Sequence, residues 1–227
     1  MPDLYTIDLV SYTLDRLKER FRTGKLLPAR QVLREDLEGR FQVLEEMGIH
    51  NLAELIAALR TRRRVATFAA RSGLPEDYLV ILGREARSFI PKPVYLRDIP
   101  GVHAEHVVRL AEAGILHSKH VFERTRTPAE REALAEATGI SPDALLELVK
   151  FSDLARVGGM GPAFVRLLYE AGADRIEALA EQDPAKLRDQ AFSVNATHGW
   201  TRVVPSLEDI TNYVKTAQAL PKAIEYE

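Results

Sequence analysis

The chain has no cysteine, a single tryptophan and only 7% aromatic residues among its 227 positions. Without cysteine there is no disulfide framework, no thiolate metal site and no cysteine nucleophile. No apolar run approaches the roughly 18 residues of a membrane span. The opening Met-Pro-Asp-Leu-Tyr has neither a basic region nor an apolar core, so no secretory leader is expected and the cytoplasm is the expected location. A basic excess is missing as well: 31 Lys+Arg stand against 33 Asp+Glu, a net of -2, whereas dedicated high-affinity nucleic-acid binders usually carry clear positive charge. The balance is uneven, +3 over residues 1–100 and -5 over the rest. There is no serine elbow, Walker loop or paired-carboxylate signature, so no enzyme activity and no cofactor are expected.

What is present is a repeat. Leu44 to Leu82 lies on Leu110 to Leu148 without a gap at a shift of 66, with 11 of 39 positions identical. At a shift of 58, Gly101 to Gly114 lies on Gly159 to Gly172 with 6 of 14 identical. A fixed internal period means one small unit used several times, each burying its apolar face against its neighbours.

That unit is helical. Apolar spacing of 3 and 4 dominates, as in Leu52, Leu55, Ile56 and Leu59, and β-type alternation is nearly missing, so the chain is read as all-α. Thr127-Pro, Ser141-Pro, Asp183-Pro and Ser206-Leu-Glu-Asp mark helix starts. Gly48, Gly73, Gly114, Gly139 and Gly172 stand where left-handed C-caps are wanted. Ile90-Pro-Lys-Pro93 forbids a helix and divides the chain into residues 1–90 and 94–227. An opening helix over about Leu9 to Arg22, a loop from Asn195 to Val204 and a closing helix over Ser206 to Ala219 are expected, the terminal helices capping the array.

Asp98-Ile-Pro-Gly-Val-His-Ala-Glu-His-Val-Val-Arg-Leu110 and Arg156-Val-Gly-Gly-Met-Gly-Pro-Ala-Phe-Val-Arg-Leu-Leu168 resemble the helix-hairpin-helix motif. Its tight turn needs glycines that accept positive φ and an apolar plug, here Val102 or Met160. Arg34-Glu35 replaces that turn in the first copy. The whole chain resembles an uncharacterised bacterial family of helix-hairpin-helix proteins, chiefly through Phe151 to Pro162, Leu168 to Gly172 and the Asn195 to Ala219 tail. The resemblance implies tandem helix-hairpin-helix repeats of short helices whose turn amides hold a backbone phosphate without reading sequence. Carried over by position, the candidate residues are Gly101, Gly159, Met160 and Gly161, with Arg156 and Arg166 as the nearest cations.

Arg62-Arg63-Arg64 is the strongest basic cluster. The 66-residue register sets Thr61 on Thr127, which places these arginines in a first helical turn, against the macrodipole by about 0.3 to 1 kcal/mol each. A phosphate there meets free amides and guanidinium forks together. His103, His106, His117 and His120 form two pairs that an intervening helix separates by roughly 15 Å of rise, so no metal site is expected. Asp174 is too loosely placed to be a catalytic aspartate, and Phe192, Trp200 and Tyr213 are expected to pack together. The functional expectation is a non-enzymatic binder of the DNA or RNA backbone. The alternative is a protein-interaction scaffold in which the hairpins are purely structural, and a weaker third possibility is a phosphometabolite sensor using the same amides.

Overall fold

The computed structural model describes residues 3–24, 26 and 28–227. Among these there is no strand; two isolated bridges, Thr13 with Asn51 and Tyr95 with His117, are the only β-type pairing. The α-helices are α1 (Leu14–Thr23), α2 (Leu37–Glu46), α3 (Leu52–Ala58), α4 (Arg62–Ser72), α5 (Glu76–Arg87), α6 (Ala104–Glu112), α7 (Ser118–Arg124), α8 (Pro128–Thr138), α9 (Pro142–Leu154), α10 (Pro162–Glu170), α11 (Ile176–Ala180), α12 (Pro184–His198) and α13 (Leu207–Ala219). Short 3-10 helices cover Pro28–Arg34 and Leu96–Asp98. None of these helices is long and apolar enough to cross a membrane.

The order of elements resolves into one four-helix unit used three times: α2 to α5, α6 to α9 and α10 to α13. The second helix of each unit follows a glycine of positive φ, Gly48, Gly114 or Gly172. The third helix starts on a side-chain cap, where Thr61, Thr127 and Asp183 accept the N–H three residues on at 3.3, 3.3 and 2.8 Å. It ends on a left-handed glycine, Gly73, Gly139 or Gly199, with φ of 73°, 66° and 64°. A residue with a Cβ resists that conformation, so each of these positions stops its helix. Equivalent apolar positions reach the core together: Leu44, Leu110 and Leu168 are fully buried, as are Leu79, Leu145 and Ile210. Each such side chain contributes about 1.5 to 3 kcal/mol by leaving water.

Two compact units divide the chain, residues 8–89 and residues 1–7 with 90–227. The first holds one repeat and the second holds two. This differs from a simple cut at the Pro-Lys-Pro segment, because residues 3–7 belong with the C-terminal unit. Tyr5 lies edge-on to Phe122 at 5.3 Å and its hydroxyl bonds Ser118 Oγ at 2.7 Å. Burial pushes that phenol up to about 12.

Two expected boundaries move, and one helix changes its role. The opening helix begins at Leu14 rather than Leu9, because the Asp8 carboxylate accepts the Val10 and Ser11 N–H groups at 3.0 and 3.2 Å and bends the chain into a turn first. Residues 195–198 are helical, since nothing stops α12 before Gly199. Helix α13 is the fourth helix of the third unit rather than an added cap.

Candidate nucleic-acid interface

The turn between α9 and α10 is the closest match to the expected hairpin. Gly159 takes φ 84°, Met160 is 4% exposed, and an added Cβ at Gly159 or Gly161 would meet nothing within 4 Å. The Gly159 and Gly161 N–H groups have no acceptor among the described residues. The Met160 N–H is spent on Val157 O at 3.2 Å, so Met160 serves as the plug and drops out as an anion donor.

Its cations are committed elsewhere. Arg156 is 1% exposed; its guanidinium pairs with Asp153 at 2.6 Å and donates to Leu4 O and Pro221 O at 3.0 and 2.6 Å. It is a structural clamp on both ends of the chain and no phosphate ligand. Asp153 also accepts the Ile176 N–H at 3.0 Å and the Tyr226 hydroxyl at 2.9 Å. Burial, with that carboxylate beside it, pushes the Tyr226 phenol far above its usual range. Arg166 is equally engaged, bridging Glu147 at 3.0 Å and Glu170 at 2.5 Å. Its guanidinium lies 5.2 Å from the Trp200 ring centre and 5.4 Å from that of Phe151. The same group sits 3.5 Å from where a Gly101 Cβ would stand, so the chain's own arginine already lies against the Gly101 turn. Asp153, at i−3 from Arg156, is the local sequence signal for that pair; Glu147, Leu4 and Pro221 give none.

The situation at α4 is the reverse. Thr61 caps the helix, and Arg62, Arg63 and Arg64 occupy its first turn and are exposed. Only the Arg64 N–H of that turn is held, by Thr61 Oγ1 at 3.3 Å, and the Arg64 guanidinium runs back to Ala57 O at 2.7 Å. Among the described residues no carboxylate pairs with Arg60, Arg62, Arg63, Arg64 or Arg71. Arg63, Arg64 and Arg71 line a surface pocket of about 480 Å³ together with Thr61, Thr67, Met47, Ile49 and Phe68, and no acid is among its lining residues. Arg71 lies outside the basic run that the sequence makes conspicuous, yet it stands seven residues after Arg64, two turns along the same face. The unit of residues 8–89 carries 15 Lys+Arg against 12 Asp+Glu, a net of +3. This arrangement can hold an anion by charge-assisted hydrogen bonds.

The remaining candidates resolve locally. Asp174 is paired with Lys150 and Arg175. Trp200 stacks on His198 at 4.4 Å and 10°, while Phe192 is 59% exposed, so the expected Phe192–Trp200–Tyr213 cluster does not form around the indole. His103 and His106 have ring centres 5.4 Å apart and His117 and His120 only 3.6 Å.

No curated protein and no solved structure matches the chain. One family model does, over residues 100–220, which is more than half of the sequence. That stretch runs from the turn before α6 to the end of α13, two complete four-helix units, and on it the protein belongs to the family described as Domain of unknown function (DUF4332).

Proposed function

We propose that the repeats are helix-hairpin-helix repeats and that the protein binds the phosphate backbone of nucleic acid, without catalysis and without reading sequence, through the first turn of α4. The observation that carries this reading is the set Arg62, Arg63, Arg64 and Arg71, exposed or pocket-lining and unpaired by any carboxylate. Arg156 and Arg166, the cations that the sequence sets beside the Gly159 turn, are by contrast spent on the fold. Two unsatisfied main-chain donors at Arg62 and Arg63 add to the anion field. No aromatic side chain is exposed beside them, which disfavours base stacking and favours backbone contact.

Fluorescence anisotropy with a random duplex and a random single strand, at two salt concentrations, tests it. Weak binding that collapses as salt rises is the expected result. Replacing Arg62, Arg63 and Arg64 with Ala lowers the affinity and flattens the slope of log affinity against log salt, by about 0.9 for each phosphate no longer neutralised. Absence of binding at low salt defeats the proposal.

A second reading, a protein-interaction scaffold, is favoured by one observation: Arg156 and Arg166 beside the C-terminal hairpins are locked into Asp153, Glu147 and Glu170. In that case the hairpins are joints, and a co-purified protein rather than an oligonucleotide is what the intact chain retains.

A further inference from the structure

Helix α7 begins on a cap built from two imidazoles. His117, the N-cap residue, accepts the His120 N–H on its Nδ1 at 3.3 Å. His120 in turn accepts the Leu116 N–H on its own Nδ1, also at 3.3 Å. The rings lie with centres 3.6 Å apart and planes tilted by 31°. At the equivalent position of the first repeat the same reciprocal pair is made from different chemistry. Asn51 accepts the Glu54 N–H at 3.0 Å, and Glu54 accepts the His50 N–H at 2.7 Å. In the third repeat Asp153 takes the Ile176 N–H from outside.

The two reciprocal caps respond differently to protons. The His50 N–H holds the Glu54 carboxyl below its usual range, so that cap persists through mild acid. An imidazole Nδ1 accepts only while it carries no proton. A proton on either ring turns the acceptor into a donor facing a backbone N–H and sets a cation on the positive end of α7. We propose that the His117–His120 pair is an acid-sensitive latch, which opens the entry to α7 as the pH falls below neutrality while the Asn51–Glu54 pair stays closed.

The surroundings do not cancel this. On α7 itself Lys119 opposes protonation of His117 and Glu123 favours it. The Tyr95 ring stands edge-on to His117 at 6.1 Å with Arg97 over it at 5.0 Å, and Lys119 is tied to Asp3 of the N-terminal segment at 2.8 Å. Burial first, and His120 second, hold His117 below the ordinary 6.5. The folded state therefore takes up this proton less readily than the unfolded state. The stability it contributes is complete above about 6.5 and is lost as the pH falls through the lower folded value. The latch sits where the segment after the Pro-Lys-Pro stretch is anchored: Ser118 N–H donates to Val94 O at 2.8 Å, Ser118 Oγ accepts the Val94 N–H at 2.9 Å, and Leu96 N–H donates to Leu116 O at 3.2 Å. Opening α7 at its first turn loosens that anchor.

Amide hydrogen exchange on the full chain, between about pH 7.5 and 5, reads the latch directly. The protection factors of Leu116 and His120 are expected to fall by up to about tenfold per pH unit between about 6.5 and the lower folded value, with those of His50 and Glu54 flat. The double variant His117→Asn with His120→Glu installs the pair used by the first repeat and should remove the step. Imidazole ¹⁵N shifts of the unaltered chain give a second measure, with His117 Nδ1 gaining its proton at the same midpoint as the His120 amide loses protection. Flat protection at Leu116 and His120 down to pH 5, a step that survives in the double variant, or midpoints that do not coincide would each overturn the latch.

Discussion

Helices α4 and α8 are one element written twice with opposite charge. Both run 11 residues, both start on a threonine whose hydroxyl accepts the N–H three positions on, and both end on a left-handed glycine. Each buries a narrow apolar stripe, Val65 and Phe68 in one and Leu134 in the other. Yet α4 carries four arginines and no acid, whereas α8 carries three glutamates and one arginine. In α8, Glu130 returns to the Thr127 N–H at 2.9 Å and closes a capping box. In α4 the same position is Arg64, which stands against the helix dipole. The fold thus fixes caps and stripe at this place and leaves charge open.

The largest expected effect separates structural from free arginines. Arg156→Leu breaks a buried ion pair and leaves Asp153 uncompensated, which should cost about 3 to 5 kcal/mol in denaturant unfolding. A loss under about 1 kcal/mol would show that the clamp on the chain ends is unimportant.

Giving α4 the first turn of α8, by R62P, R63A and R64E together, should weaken polynucleotide binding by about tenfold or more at low salt. The same change should raise the thermal midpoint, because the dipole mismatch is removed and a capping box becomes possible. Binding that survives the exchange would mean that α4 does not touch the polynucleotide.

Gly73→Ala and Gly139→Ala sharpen the shared half of the comparison. Each forces a Cβ into a left-handed conformation at a cost of about 1 kcal/mol, and Gly139→Ala should lose more, because its Cβ would stand 2.9 Å from the Arg109 guanidinium that bonds Gly139 O, whereas a Cβ at Gly73 meets nothing within 4 Å. A Gly73→Ala variant as stable as the parent in thermal melts would deny that the left-handed stop is shared.

The smallest effect is at Asp36, the one non-glycine residue with positive φ among the described residues, at 44°. It starts α2 without a side-chain cap bond, in the copy whose hairpin glycines are missing. Asp36→Gly should stabilise the unit of residues 8–89 by about 0.5 kcal/mol in the same melts, strain relief exceeding the added chain entropy.

Much of the frame is legible in the residues. Thr127, Ser141, Asp183 and Ser206 are N-caps, and Gly48, Gly73, Gly114, Gly139 and Gly172 all take positive φ. The third unit is only half visible, because its α12 is longer and its final loop shifts the register, so identity fades where the geometry persists. At the candidate site the placement of Arg62 to Arg64 in a first turn follows from the capping threonine. Arg71 escapes a reading based on charge runs, and nearness to the hairpin turn misleads for Arg156 and Arg166.

The repeating frame is written in the residues themselves, since caps, glycine stops and apolar stripes obey rules that act over three or four positions. Which cations are free is only partly local, through Asp153 at i−3 from Arg156 and Glu170 at i+4 from Arg166, and the rest is settled once the chain has folded. Arg156 is silenced by Leu4 and Pro221 and Arg166 by Glu147, partners that no local pattern connects to them, because a guanidinium's availability depends on burial and on whichever distant carbonyls and carboxylates the fold brings beside it.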